Sequence, residues 1–129
     1  MNMWKGKTII VAEDDLVNFK LMNFMLKNTG ANIVWAKNGR EAVEASINDK
    51  VDAILMDVQM PVMNGTEAAL KIRETNKDVP IIILSAYCSN ELKSWSEKGA
   101  SNGYLNKPVQ ADRLVGTIEK HFGRGSMKH

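Results

Sequence analysis

Apolar runs of four to six residues alternate along this chain with longer amphipathic stretches, and a shorter fifth run continues the alternation. Thr8-Ile-Ile-Val-Ala12 is β-branched and apolar on both faces, the pattern of a strand buried in a parallel sheet. A helical stretch follows from Leu16 to about Asn28, with Gly30 in the place a C-terminal cap favours. Asn32–Ala36 reads as a second strand ended by Asn38-Gly39, and Arg40 to Ile47 as a second helix. Ala53–Met56 is a third strand, and Pro61 and Asn64-Gly65 punctuate the loop before a helix over Thr66–Glu74. Pro80–Ser85 is a fourth strand, and Glu91–Lys98 a fourth helix stopped by Gly99. Tyr104-Leu105 is a short fifth strand, and after Pro108 a last helix runs to about Phe122. Alternating strands and helices with connections this short predict an α/β fold, a doubly wound five-stranded parallel sheet with helices on both faces. The expected domain spans residues 7–122, with 1–6 as an N-terminal extension and 123–129 as a tail.

Length and composition narrow the function without naming it. A chain of 129 residues holds one ordinary domain. Its net charge of +2 is too mild to point to nucleic acid. The single cysteine, Cys88, excludes a disulfide within the chain and any multi-cysteine metal site. No apolar run approaches the roughly 20 residues of a membrane-spanning helix. Met1–Lys7 lacks the apolar core of a signal peptide, so a cytoplasmic location is expected.

In a doubly wound sheet ligands sit beyond the carboxyl ends of the strands. Those places carry Glu13, Asp14 and Asp15 after the first strand, Asp57 after the third, Ser85 at the end of the fourth, and Lys107-Pro108 after the fifth. Crowded carboxylates raise one another's pKa unless a cation intervenes, and a hard, oxygen-preferring divalent ion is the natural one. Glu13, Asp14 and Asp57 supply three negative charges, and one Mg²⁺ with Lys107 supplies three positive. Such a site accepts an incoming phosphoryl group at modest electrostatic cost. Asp15, directly before Leu16, reads instead as a helix cap.

Val11-Ala-Glu-Asp-Asp-Leu-Val-Asn18, Met56-Asp-Val-Gln-Met-Pro-Val-Met-Asn-Gly65, Ser85-Ala86 and Tyr104-Leu-Asn-Lys-Pro108 resemble the successive motifs of response-regulator receiver domains, which are CheY-like. The third-strand form is most similar to receivers of hybrid sensor histidine kinases. The resemblance covers residues 7–122 and implies a flavodoxin-like (βα)5 fold and a role as phosphoacceptor in a two-component phosphorelay. It makes Asp57 the phosphorylated residue, and it assigns Mg²⁺ (or Mn²⁺) to Glu13, Asp14, Asp57 and the backbone carbonyl of Gln59, with Glu13 reaching the metal through water. Ser85 matches the switch hydroxyl, Lys107 the amine that pairs with the phosphoryl group, and Tyr104 the aromatic that changes rotamer. Gln59 and Tyr87 fall where the family tunes the lifetime of the acyl phosphate. The implied partners are a histidine kinase or histidine phosphotransfer domain and small donors such as acetyl phosphate. Nucleic acid and membrane are not among them, and no turnover enzyme is implied.

Rival readings are weaker. A haloacid-dehalogenase-like phosphatase wants a second acid two residues past the first, where this chain has Gln59. A flavodoxin wants a hydroxyl- and glycine-rich phosphate loop where this chain has Glu-Asp-Asp. An interaction module that never sees phosphate remains as an alternative. The first helix is apolar beyond the needs of one buried stripe. Val17, Leu21, Met22 and Met25 suit that stripe, which leaves Leu16, Phe19, Phe24 and Leu26 in surplus. Leu16 and Phe19, on the turn beside the acids, are the expected docking residues for the histidine donor.

Overall fold

The computed structural model describes residues 3–48, 50–86 and 101–126. Strands β1 (Thr8–Ala12), β2 (Asn32–Ala36), β3 (Ala53–Asp57), β4 (Ile81–Ser85) and β5 (Gly103–Asn106) form one sheet in the order β2-β1-β3-β4-β5. Every pairing is parallel. The helices among the described residues are α1 (Leu16–Leu26), α2 (Gly39–Asn48), α3 (Gly65–Thr75) and α4 (Ala111–Ser126), and a 3-10 turn over Lys27–Thr29 follows α1. Gly30 adopts the left-handed conformation, φ 84°, that ends this turn. The helix expected over 91–98 lies outside the described residues, as does Tyr87.

Alternation along the central strands divides the core in two. Ile10, Ile54, Met56, Ile81 and Ile83 point to one face, where Ala42 of α2 and Ala68, Ala69 and Ile72 of α3 cover them. Ile9, Val11, Leu55, Ile82 and Leu84 point to the other, against Met22 and Leu26 of α1 and Leu114 and Ile118 of α4. Because both faces are covered, β1, β3 and β4 read as unbroken apolar runs.

Three expectations need correction. First, α1 is rotated from the assigned phase. Met22 and Leu26 are buried and Phe19 and Met25 half-buried, whereas Val17 (70% exposed) and Leu21 (52%) face outward. Eight of the eleven residues of α1 are apolar, so periodicity alone barely distinguishes one face from another.

Second, residues 1–6 are more than an extension. Trp4 is 3% exposed, donates its backbone N–H to the Thr29 carbonyl at 2.8 Å, and meets the Phe122 ring edge-on at 5.2 Å. Third, α4 continues through Ser126, so residues 123–126 belong to the helix and not to a tail.

Candidate functional site

The acids gather because parallel strands end on one rim. β3 ends at Asp57, and β1 ends one residue before Glu13. In register, Asp57 faces Leu84, so Ser85 stands one residue further along the neighbouring strand. Lys107 follows β5 and donates its backbone N–H to the Ser85 carbonyl at 2.7 Å. The Lys107–Pro108 peptide bond is cis.

Glu13 (1% exposed) and Asp57 (5%) are buried, whereas Asp14 is exposed. One ligand oxygen from each of these three lies within 4.8 Å of the others. Lys107 Nζ lies 3.0 Å from Asp57 Oδ1 and 3.5 Å from Glu13 Oε1, so one ammonium bridges both buried carboxylates. Burial, followed by the charge of Asp57, pushes the Glu13 carboxyl up from 4.5 to about 7, against the pull of the Asp15 N–H and Lys107. Burial alone would lower the pKa of Lys107. The Asp57 hydrogen bond and the charges of Asp57 and Glu13 outweigh it and raise the value. Among the described residues a single ammonium faces three carboxylates, which leaves negative charge unmatched, and the donors are all oxygens. This donor set fits a hard divalent cation such as Mg²⁺.

The surrounding main chain holds these groups in place. The Glu13 N–H donates to the Ala36 carbonyl at 2.9 Å. Its side chain folds back to accept the Asp15 N–H at 3.2 Å. Asp15 caps α1 as expected, accepting the Asn18 N–H at 3.4 Å. The loop after Asp57 is closed by an Asn64–Glu67 capping box and by the Gly65 N–H donating to the Val58 carbonyl at 2.8 Å. A Cβ at Gly65 would stand 2.2 Å from the Asp57 carbonyl oxygen, so only glycine permits this approach. Within the loop Val62 takes φ 69°, which is rare for a β-branched residue.

Of the remaining expected residues, Gln59 is exposed just past Asp57, and Ser85 is half-buried on the rim. Tyr104 is half-buried and packs against the core face covered by α2 and α3. Leu16 is 46% exposed beside the acids, as expected. Phe19 is not a free ring. It stacks on Trp35 with centroids 4.6 Å apart and planes 10° from parallel, and it packs against the second core face. Between α1 and the turn after β5 lies a cleft of about 340 Å³, lined by Glu13, Leu21, Met25, Lys107 and Val109 among others. Sequence reasoning missed both this cleft and Trp35.

Comparison with known proteins agrees with this geometry. Residues 9–119 match the response regulator receiver domain family. The polar-differentiation response regulator DivK of Brucella anthropi is 28% identical over 119 residues, 91% of this chain and 97% of that protein. The receiver domain of a sensor histidine kinase from Pseudomonas aeruginosa PAO1, solved with magnesium in its active-site cleft, superposes with a TM-score of 0.83 at 31% identity, covering 92% of this chain and 98% of that one. The receiver of Saccharomyces cerevisiae Ssk1, solved with the histidine phosphotransfer protein Ypd1, gives 0.80 at 30% identity, covering 88% and 86%. With five parallel strands, an acidic rim bridged by Lys107 and a family match along most of its length, the chain belongs to the response regulator receiver domains.

Proposed function

We propose that Asp57 is the phosphoacceptor and that Glu13, Asp14, Asp57 and the Gln59 carbonyl hold Mg²⁺, or Mn²⁺, beside it. The observation that carries this reading is the Lys107 ammonium 3.0 Å from Asp57, with the two further carboxylates adjoining. An Asp57 oxygen attacks phosphorus in line and forms the acyl phosphate P–O bond, while the bond to a phosphohistidine nitrogen or to the acetate of acetyl phosphate breaks. Lys107 is placed to accompany charge from the carboxylate to the transferring oxygens. The metal, when bound, supplies the remaining neutralisation. The protein modifies itself and is not a turnover enzyme.

Ser85 and Tyr104 form the switch. A phosphoryl group adds negative charge and three acceptor oxygens beside Ser85, and the hydroxyl's move toward them makes room for the Tyr104 ring. Gln59 and, beyond the described residues, Tyr87 tune how fast water reaches the acyl phosphate. The partner is a histidine kinase or histidine phosphotransfer domain, a reading supported by the yeast complex and by the apolar cleft that adjoins Glu13 and Lys107. Leu16 and the outward face of α1 receive it. The proposal needs neither nucleic acid nor membrane contact, and no helix among the described residues is long and apolar enough to cross a bilayer. It places the reaction in the cytoplasm.

Intact-mass measurement after incubation with acetyl phosphate tests the reading. Wild type with Mg²⁺ is expected to gain one phosphoryl group, and Asp57→Asn or wild type in EDTA to gain none. Equal labelling of Asp57→Asn would overturn the assignment of Asp57. Absence of labelling in wild type would favour the phosphate-independent interaction module.

A further inference from the structure

Trp35 lies in edge strand β2, paired in register with Val11, yet its indole reaches two residues further along the chain, just past the end of β1. Its Nε1–H donates to the Glu13 carbonyl oxygen at 2.8 Å. Glu13 is thereby held to β2 through both of its peptide groups, since its N–H donates to the Ala36 carbonyl. The indole is itself held in place. Phe19 of α1 stacks on it, and Lys37 Nζ stands 5.2 Å from its ring centre.

We infer that Trp35 is a positioning residue for the cation site, fixing the Glu13–Asp14 backbone so that both carboxylates face Asp57. The inference rests on the proposed reading of Glu13 and Asp14 as metal-holding residues. Asp14 is exposed, so the peptide that precedes it bears on its direction. That peptide is the one whose carbonyl the indole engages.

Trp35→Phe keeps an aromatic ring for Phe19 to stack on and deletes the donor. Calorimetric titration with Mg²⁺ is expected to show affinity lowered about tenfold, the scale set by groups that orient metal ligands. Melting in EDTA should stay close to wild type, and acetyl-phosphate labelling should be slow at limiting Mg²⁺ but recover at saturating Mg²⁺. Wild-type Mg²⁺ affinity in Trp35→Phe, or a labelling defect that persists at saturation, would overturn the inference. If this variant does not fold, benzothienylalanine at position 35 keeps the bicyclic ring and replaces the N–H by sulfur, and the same outcomes apply. No Mg²⁺ uptake by wild type would instead overturn the metal reading beneath it.

Discussion

Glu13 is almost wholly buried, its carboxyl is pushed up to about 7, and the ammonium it shares stands closer to Asp57. In the unfolded chain the same group ionises near 4.5. Between these values the unfolded state has released a proton that the folded state retains, so without metal the fold loses stability as pH rises through this window. The loss is bounded at about 3 kcal/mol, from 1.36 kcal/mol per pKa unit. Melting in EDTA at about pH 5 and about pH 8 should show the decline, and Glu13→Gln should flatten it and melt higher than wild type at the upper pH. With saturating Mg²⁺ the order should reverse, because wild type, with all three carboxylates, gains more binding energy than the variant. A wild-type profile as flat as that of the variant would show that Glu13 carries no such load. Glu13 and Asp57 were legible in the sequence because each directly follows an apolar run, and Lys107 because it stands two residues past the fifth run, before Pro108. Trp35 was not, because its partner is a main-chain oxygen 22 residues away and nothing in a strand's periodicity encodes such a reach.

At the scale of elements, the strands were legible to within a residue or so at each end, since burial on both faces leaves unbroken apolar runs. Helix α1 was legible as a helix but not in its rotation. Its outward residues now separate docking from packing. Leu21 lines the cleft beside Glu13 and is half exposed, so Leu21→Asp is expected to weaken transfer from a phosphohistidine protein by about 1–2 kcal/mol while acetyl-phosphate labelling persists. Phe19→Asp removes the stack on Trp35 and puts a charge against the core, so it is expected to lower the melting temperature and impair both reactions. Equal behaviour of the two variants would mean that the outward face of α1 has no separate role. The loop from Asp57 to α3 gives a second test. Gly65→Ala pushes a methyl group toward the Asp57 carbonyl and is expected to cut acetyl-phosphate labelling and stability together. Unchanged melting and labelling would show that the loop yields freely.

Over the whole molecule, two apolar layers on either side of one sheet carry the stability, and the second is closed from below by residues on either side of the strand–helix core. Trp4 and Phe122 meet edge to face, with Lys7 Nζ 5.2 Å from the Phe122 ring centre. Trp4→Ala empties a buried site and is expected to cost about 3 kcal/mol, read as a lower denaturant midpoint, while Asp57 still labels under native conditions. A midpoint equal to wild type would mean that residue 4 lies outside the folded unit. The sequence hid this closure because a lone aromatic before the first strand has no periodic neighbours to mark it as core. The same contact has a bearing on tethers. Trp4 precedes β1 and Phe122 lies toward the end of a helix running back along the sheet, so both stand at the pole opposite Asp57. Strands β1 and β3, which run between the poles, are five residues long, or about 17 Å at ~3.3 Å per residue. A phosphodonor joined at either place by fewer than about five extended residues would be held short of the rim, however high its local concentration. A longer flexible tether would instead make delivery to Asp57 intramolecular, at an effective concentration set by its length.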